Sequence, residues 1–371
     1  MNSADSFSPD YQGARAKFLD AARGAGGALE AITHPERGPD GDALATDVAW
    51  IGPGAAEAVL VMISATHGVE GFCGSGAQVD WLRREEHRAL PAGTAALMIH
   101  AINPYGFAWL RRVTNENVDL NRNWVDFNSP RKANPGYEML ADQICPAEWT
   151  AETQAGTSQT MTAYADRHGR MALQQALTGG QYTHPLGICY GGNQPTWSRR
   201  TQTGIFEQYL RSAGRIAIID YHTGLGPWGF GEQIVVDRPQ SAAFKRAASW
   251  YGDAVTSPMA GGDSSSADIV GDGLSYAPGI LGHAEVTGMA LEFGTKPIMA
   301  VLNALRADAW LHAYGNPLSP AGQVIKAEIR DAFFGDADDW KGMIAGQSLL
   351  ATRQALKGLT HSNFNKISDV K

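Results

Sequence analysis

"AAEAVLVMISA" (residues 55–65) is an aliphatic run with no charge past Glu57, and "SATHGVEGFCGSG" (64–76) follows at once. Such a continuous apolar stretch, bounded by glycines, predicts a strand buried on both faces, as in a parallel sheet covered by helices. The loop that closes it holds His67 and Glu70 among Gly68, Gly71, Gly74 and Gly76. Read locally, the glycines let the backbone turn sharply enough to aim both side chains at one point.

The same grammar recurs along the chain. "LATDVAWIG" (44–52), "TAALMIHAINP" (94–104), "RIAIIDYHTGLGP" (215–227), "EQIVVD" (232–237) and "GMALEFGT" (288–295) read as further strands. Residues 11–31, with Phe18, Leu19, Ala22 and Leu29 at helical spacing, predict a helix. So do "GAQVDWLRREEHRAL" (76–90), "MTAYADRHGRMALQQAL" (161–177) and most of the last 70 residues. Strands alternating with helices predict an α/β fold: one mostly parallel, mixed, twisted sheet with helices on both faces. The expectation is a single domain over 1–371, with a lid or rim insertion around 125–210 where the pattern is less regular.

Composition excludes several classes. The 371 residues are 44% hydrophobic and 18% charged, as in an ordinary globular protein. A net charge of −8 gives no basic footprint, so a nucleic-acid partner is not expected. Cys73, Cys145 and Cys189 form no pair of suitable spacing, which suits a reducing compartment. No basic and apolar leader opens the sequence, and no run reaches the roughly 18 apolar residues of a membrane span. The expectation is a cytoplasmic protein with no membrane partner, with oligomerisation left open.

Ligands of open α/β sheets gather beyond the carboxyl ends of strands. Three such ends carry ionisable residues here: His67 with Glu70, His222, and Glu292. Two imidazoles and a carboxylate suit Zn²⁺ better than Mg²⁺ or Ca²⁺, and a catalytic zinc keeps one position for water. Glu292, in an apolar strand, is placed as a base that does not ligate the metal. "NPYGFAWLRRVTNENVDLNRNW" (103–124) adds Arg111, Arg112 and Arg122, residues suited to gripping a carboxylate or an oxyanion.

The conjunction of H-x-x-E, "NPYGF", "DLNRNW", a later histidine and a strand-borne glutamate resembles the zinc carboxypeptidase superfamily. "DYHTGLGP", "GICYGG" and "LEFGTKP" are similar to a bacterial branch of it grouped as metallopeptidases. "THGVEG" and "DYHTG" also resemble its aspartoacylase and succinylglutamate desuccinylase branch. The resemblance implies a zinc-carboxypeptidase-like fold and one Zn²⁺ held by His67, Glu70 and His222. It implies Glu292 as general base and proton donor, and Arg112 as the group polarising the scissile carbonyl, with Arg111 as its substitute. Asn121 and Arg122 would hold the substrate carboxylate, and Asp119 would fix the tautomer of His67. Tyr276 or Tyr190 would supply an assisting hydroxyl. The implied activity is hydrolysis of an amide next to a free carboxylate, in a small peptide or an N-acyl amino acid. The alternatives are a deacylase of N-acyl amino acids and a zinc-binding module without turnover.

Overall fold

The computed structural model describes residues 2–260 and 264–360. Within these residues eight strands form one sheet: β1 (Ala28–Arg37), β2 (Ala43–Ile51), β3 (Ala58–Ile63), β4 (Thr94–His100), β5 (Arg215–Trp228), β6 (Gly231–Ile234), β7 (Val255–Thr256) and β8 (Glu285–Gly294). Their order across the sheet is β1-β2-β4-β3-β5-β8-β6-β7. The four central strands β4, β3, β5 and β8 are parallel, whereas β2 and β6 run antiparallel to their neighbours β4 and β8. The mixed α/β sheet therefore matches the expectation.

Twelve helices complete these residues: α1 (Tyr11–Gly24), α2 (Gly71–Arg83), α3 (Pro104–Ala108), α4 (Pro135–Ile144), α5 (Ala151–His168), α6 (Arg170–Thr178), α7 (Trp197–Tyr209), α8 (Ala242–Tyr251), α9 (Gly273–Ile280), α10 (Ile298–Tyr314), α11 (Pro320–Phe333) and α12 (Asp338–Thr360). Strand alternation sorts the core into layers. Leu60, Met62, Ala217, Ile219, Met289 and Leu291 pack with α1, α2 and α12 on one face. Val59, Val61, Ile216 and Ile218 pack with α7 and α9 on the other. A third cluster joins α4, α5 and α6 to α10 and α11, so the segment around 125–210 is packed onto the body through its own apolar face.

Two local expectations need correction. The helix expected over 11–31 ends at Gly24, and Ala28–Arg37 is an outer strand paired with β2. Gly26 adopts φ 73° just after the helix, which ends it. Pro35 is accommodated because β1 is an edge strand with a register shift between Thr33 and Arg37. The helix expected over 76–90 starts earlier, at Gly71, and ends at Arg83, with Glu85 in the left-handed region.

Candidate metal centre

Alternation along β5 puts Asp220 and His222 on the face shared with Ile216 and Ile218. In the parallel ladder His222 stands opposite Glu292 of β8. The loop after β3 brings His67 and Glu70 beside them. Its backbone is held by the arginine segment, since the Gly68 and Val69 N–H groups donate to the Arg112 and Arg111 carbonyls at 3.1 and 2.8 Å.

The glycines of this loop do not serve a turn. None of Gly68, Gly71, Gly74 and Gly76 has positive φ; the left-handed residue is Ala65, at φ 59°. What requires glycine is close approach. A Cβ on Gly68 would lie 2.0 Å from the Gly106 carbonyl carbon, and one on Gly71 would lie 2.6 Å from the Phe107 ring. "THGVEG" and "NPYGF" are thus packed backbone to backbone, with strain stored at Ala65 beside the site.

His67, Glu70 and His222 are buried and converge. His67 Nδ1 lies 3.0 Å from Glu70 Oε1, His222 Nδ1 lies 3.0 Å from Glu70 Oε2, and the two Nδ1 atoms are 3.2 Å apart. Ligands around a tetrahedral ion with bonds of 2.0–2.1 Å stand about 3.3 Å from one another, so this donor set fits a small divalent cation. The far nitrogens are each held by a carboxylate: His67 Nε2 is 3.2 Å from Asp119 Oδ1, and His222 Nε2 is 2.9 Å from Asp220 Oδ2. That arrangement fixes the rings with Nδ1 presented and raises their basicity. Sequence reasoning missed Asp220. The signal was present in "AIIDYH", because residues two apart on a strand share a face.

Electrostatics around the three ligands is dominated by carboxylates. Burial would raise the Glu70 carboxyl, but His67, His222 and Arg112 outweigh it and hold the group well below its ordinary range. Burial likewise opposes ionisation of Asp119, and Arg112, Arg122 and His67 overcome it. His222 runs the other way: burial disfavours its charge, yet Asp220 and Glu70 hold its pKa well above the ordinary value. Glu292 has no such partner. Burial, and then the charge on Glu70, push it up to about 8, against the pull of His222, the Leu225 N–H at 3.0 Å and Arg112.

Arg112 donates through Nε to Asp119 at 3.0 Å and through Nη1 to Glu70 at 2.9 Å. Among the described residues no acceptor is found for its Nη2, and the side chain lines a cavity of about 800 Å³ together with His67, Asn121, Arg122, His222 and Glu292. Asn121 accepts from the Gly273 N–H at 3.2 Å, and its Nδ2 lies 3.5 Å from His222 Nε2. Arg122 reaches the cavity, but Nη1 and Nη2 donate to the Asn121 and Thr178 carbonyls, leaving the buried Nε without a partner among the described residues.

Three expected site residues lie elsewhere. Arg111 is turned away from the cavity because Asp308 and Asn117 take its guanidinium at 3.1 and 2.7 Å. Tyr276 lies tilted beside Trp124 and under Arg199, exposed on α9, and does not line the cavity. Part of the loop region expected to carry it, residues 261–263, lies outside the described residues. Tyr190 is buried and contributes its carbonyl, which accepts the Asp119 N–H at 2.8 Å; its ring is not in the cavity wall. Cys189, which the sequence did not single out, does line the cavity, with its thiol pKa raised by burial.

No helix among the described residues is long and apolar enough to cross a membrane. Comparison with known structures finds similarity to bovine thrombin-activatable fibrinolysis inhibitor in complex with tick carboxypeptidase inhibitor (10% identity, TM-score 0.44, 92% of this chain and 97% of that one). Carboxypeptidase A from Helicoverpa armigera gives 11% identity and a TM-score of 0.48 over 95% of this chain and 74% of that one. An aspartoacylase family protein from Mesorhizobium loti gives 13% identity and 0.38 over 78% and 67%. At these values the likeness assigns no activity, which has to be argued from the side chains. No curated protein matches in sequence. A family model described as "Protein of unknown function (DUF2817)" matches residues 7–347, nearly the whole of the chain, which therefore belongs to the DUF2817 family.

Proposed function

We propose that this chain is a zinc-dependent amide hydrolase of carboxypeptidase type, cleaving an amide beside a free carboxylate. One observation carries the reading. Two histidines of a buried His-Glu-His donor set, the buried carboxyl of Glu292 and an arginine with a free donor face one cavity.

His67, Glu70 and His222 would hold the ion, and two imidazoles among three ligands favour zinc over the all-oxygen cations. Bound there, a divalent ion supplies Lewis acidity and lowers the pKa of a water towards about 7. Glu292 stands opposite His222 and accepts the proton of the attacking water. Arg112, anchored by Asp119 and Glu70, points Nη2 at the developing oxyanion. As the C–N bond breaks, Glu292 returns the proton to the leaving nitrogen, so no net proton is consumed. Asn121 and Arg122, both in the cavity wall, are the residues that would hold the substrate carboxylate, which requires the Arg122 guanidinium to exchange a main-chain carbonyl for it.

A second reading, hydrolysis of N-acyl amino acids, draws on a separate observation. Gln174 Nε2 of α6 donates to the Ser265 carbonyl at 2.9 Å, and both residues line the cavity. This tie bridges the walls and favours compact substrates over polypeptides. Steady-state assays on free-carboxylate peptides, their C-terminal amides and N-acyl amino acids, with and without chelator, test both. Equal rates on free and amidated peptides would remove the carboxylate anchor, and activity that survives chelation would remove the metal.

A further inference from the structure

The polar groups described so far occupy one part of the cavity wall. Away from them, Met161 of α5 and Leu177 of α6 face Val301, Leu302 and Leu305 of α10, with Phe333 at the end of α11. These six are packed in the apolar cluster that ties α4–α6 to the body and form the cavity's floor, while half-buried Ala165 and Leu173 and exposed Ile298 and Met299 supply the accessible apolar surface. The nearby charged wall residues Asp166 and Arg170 are exposed, so they stand at the entrance. At about 800 Å³ the cavity is far larger than an acetyl group or a carboxylate needs. Pockets of several hundred Å³ with apolar walls and few polar groups bury organic molecules of considerable size.

We propose that this lobe, built by the α5–α6 helix pair against α10, is a binding site for an extended apolar group of the substrate. The substrate class is then an amphiphilic amide, polar where it meets Arg112 and Arg122 and apolar where it enters the lobe. The inference rests on the amide-hydrolase reading, and deepens it by assigning the bulk of the cavity. The apolar group reaches the lobe from one of two sources: the chain of an N-fatty-acyl amino acid, or the bulky apolar side chains of a short peptide.

Two measurements decide it. In the first, straight-chain carboxylates from acetate to dodecanoate are titrated into the protein in the presence of chelator and followed by calorimetry, so the readout needs neither metal nor turnover. Burial of methylenes predicts affinity rising about fourfold per added carbon until the lobe is full. Ala165→Trp, placed at a half-buried position of the α5 wall, should lower the dodecanoate affinity at least tenfold; circular dichroism and thermal unfolding establish that the variant is folded. If it is not, Leu173→Gln on α6 serves the same purpose.

In the second, the zinc-loaded protein is assayed on N-acyl amino acids of two to twelve acyl carbons, and on dipeptides from Gly-Ala to Phe-Phe. A steep rise of kcat/KM in the acyl arm identifies the chain as occupant, and a rise in the peptide arm identifies side chains. A flat binding series with flat kcat/KM overturns the lobe while leaving amide hydrolysis standing. A rising binding series with no hydrolysis in either arm keeps the lobe and removes the hydrolase reading. Neither binding nor turnover removes both.

Discussion

Arg111 and Arg112 are adjacent in sequence and enter two buried charge clusters of opposite character. Arg111, Lys326 and His312 surround one carboxylate, Asp308, and Asn117 Oδ1 accepts from Arg111 Nη2. Burial, then repulsion from Arg111, lowers His312 to about 3, and burial lowers Lys326 to about 8. Arg112 instead sits among Glu70 and Asp119, with Asp220 and Glu292 close behind on the two histidines' far side and flank. The first cluster has cation to spare and is sealed from the cavity. The second has carboxylate to spare and opens onto it. Several buried carboxyl groups beside two imidazoles that present Nδ1 form a set that a cation could complete, whereas the single carboxylate of the first cluster is already answered by its own cations.

The largest expected effect breaks the second cluster's chemistry. Glu292→Gln keeps the shape and hydrogen-bonding capacity of the side chain but removes its ability to take a proton. Turnover should fall by about 10²–10⁴-fold while zinc content, measured on dialysed protein, stays at one ion per chain. A variant of near-normal activity would take Glu292 out of the mechanism. Loss of the ion as well would recast it as a ligand.

Next in size is the first cluster. Asp308→Asn leaves Arg111 and Lys326 buried without an anion, and breaking such a pair costs about 3–5 kcal/mol. Urea unfolding of the metal-free protein reads this directly. Zinc affinity should change little, because the loop carrying His67 is held by main-chain donors to Arg111 and Arg112, and those bonds do not need the Asp308 carboxylate. A stable Asp308→Asn protein that had lost zinc would invert the division of labour.

Smaller again is the effect of Asp220→Asn. The amide still reaches His222 Nε2 but no longer raises the ring's basicity, and loss of such a partner lowers metal affinity by about 10–100-fold. Competition with a chromogenic chelator measures it. Asp119→Asn, acting on His67 from the opposite side, should behave alike, and unequal losses would show which histidine the site depends on more.

The two clusters were unequally legible in the sequence. His67, Glu70, His222 and Glu292 stand at strand ends, and strand ends are marked by local pattern. Asp220 was readable by alternation alone, two residues before His222 on the same face of β5. The resemblance favoured Arg112 over Arg111, but the physical reason was not readable. Asp308, 197 residues away on α10, holds the Arg111 guanidinium through a contact that only the packing of α10 against the arginine loop creates. The lobe walls were equally hidden, since Met161 and Leu177 look like ordinary core positions until α10 is set across from them. β1 was lost for a local reason: its half-exposed residues continue the spacing of α1, and the break at Gly26 is short.

The smallest effect concerns the metal-free protein at alkaline pH, where the surplus carboxylate has no cation to answer it. Glu292 has a folded pKa of about 8 against an ordinary value of 4.5, so the folded state binds its proton more tightly than the unfolded one. Stability from this group is therefore fully present below about pH 4.5, and is lost progressively as pH rises through 8. Glu292→Gln cannot ionise and escapes that loss. Unfolded by urea in chelator at pH 9, the variant should exceed the wild type by at least about 1 kcal/mol, and the advantage should vanish at pH 4. Zinc should erase it as well, because a dication beside Glu70 stabilises the ionised carboxylate that burial disfavours. A wild type as stable as the variant at pH 9 without metal would mean that water or a rearranged Arg112 already compensates Glu292, and the contrast between the two clusters would then be one of access to the cavity rather than of charge.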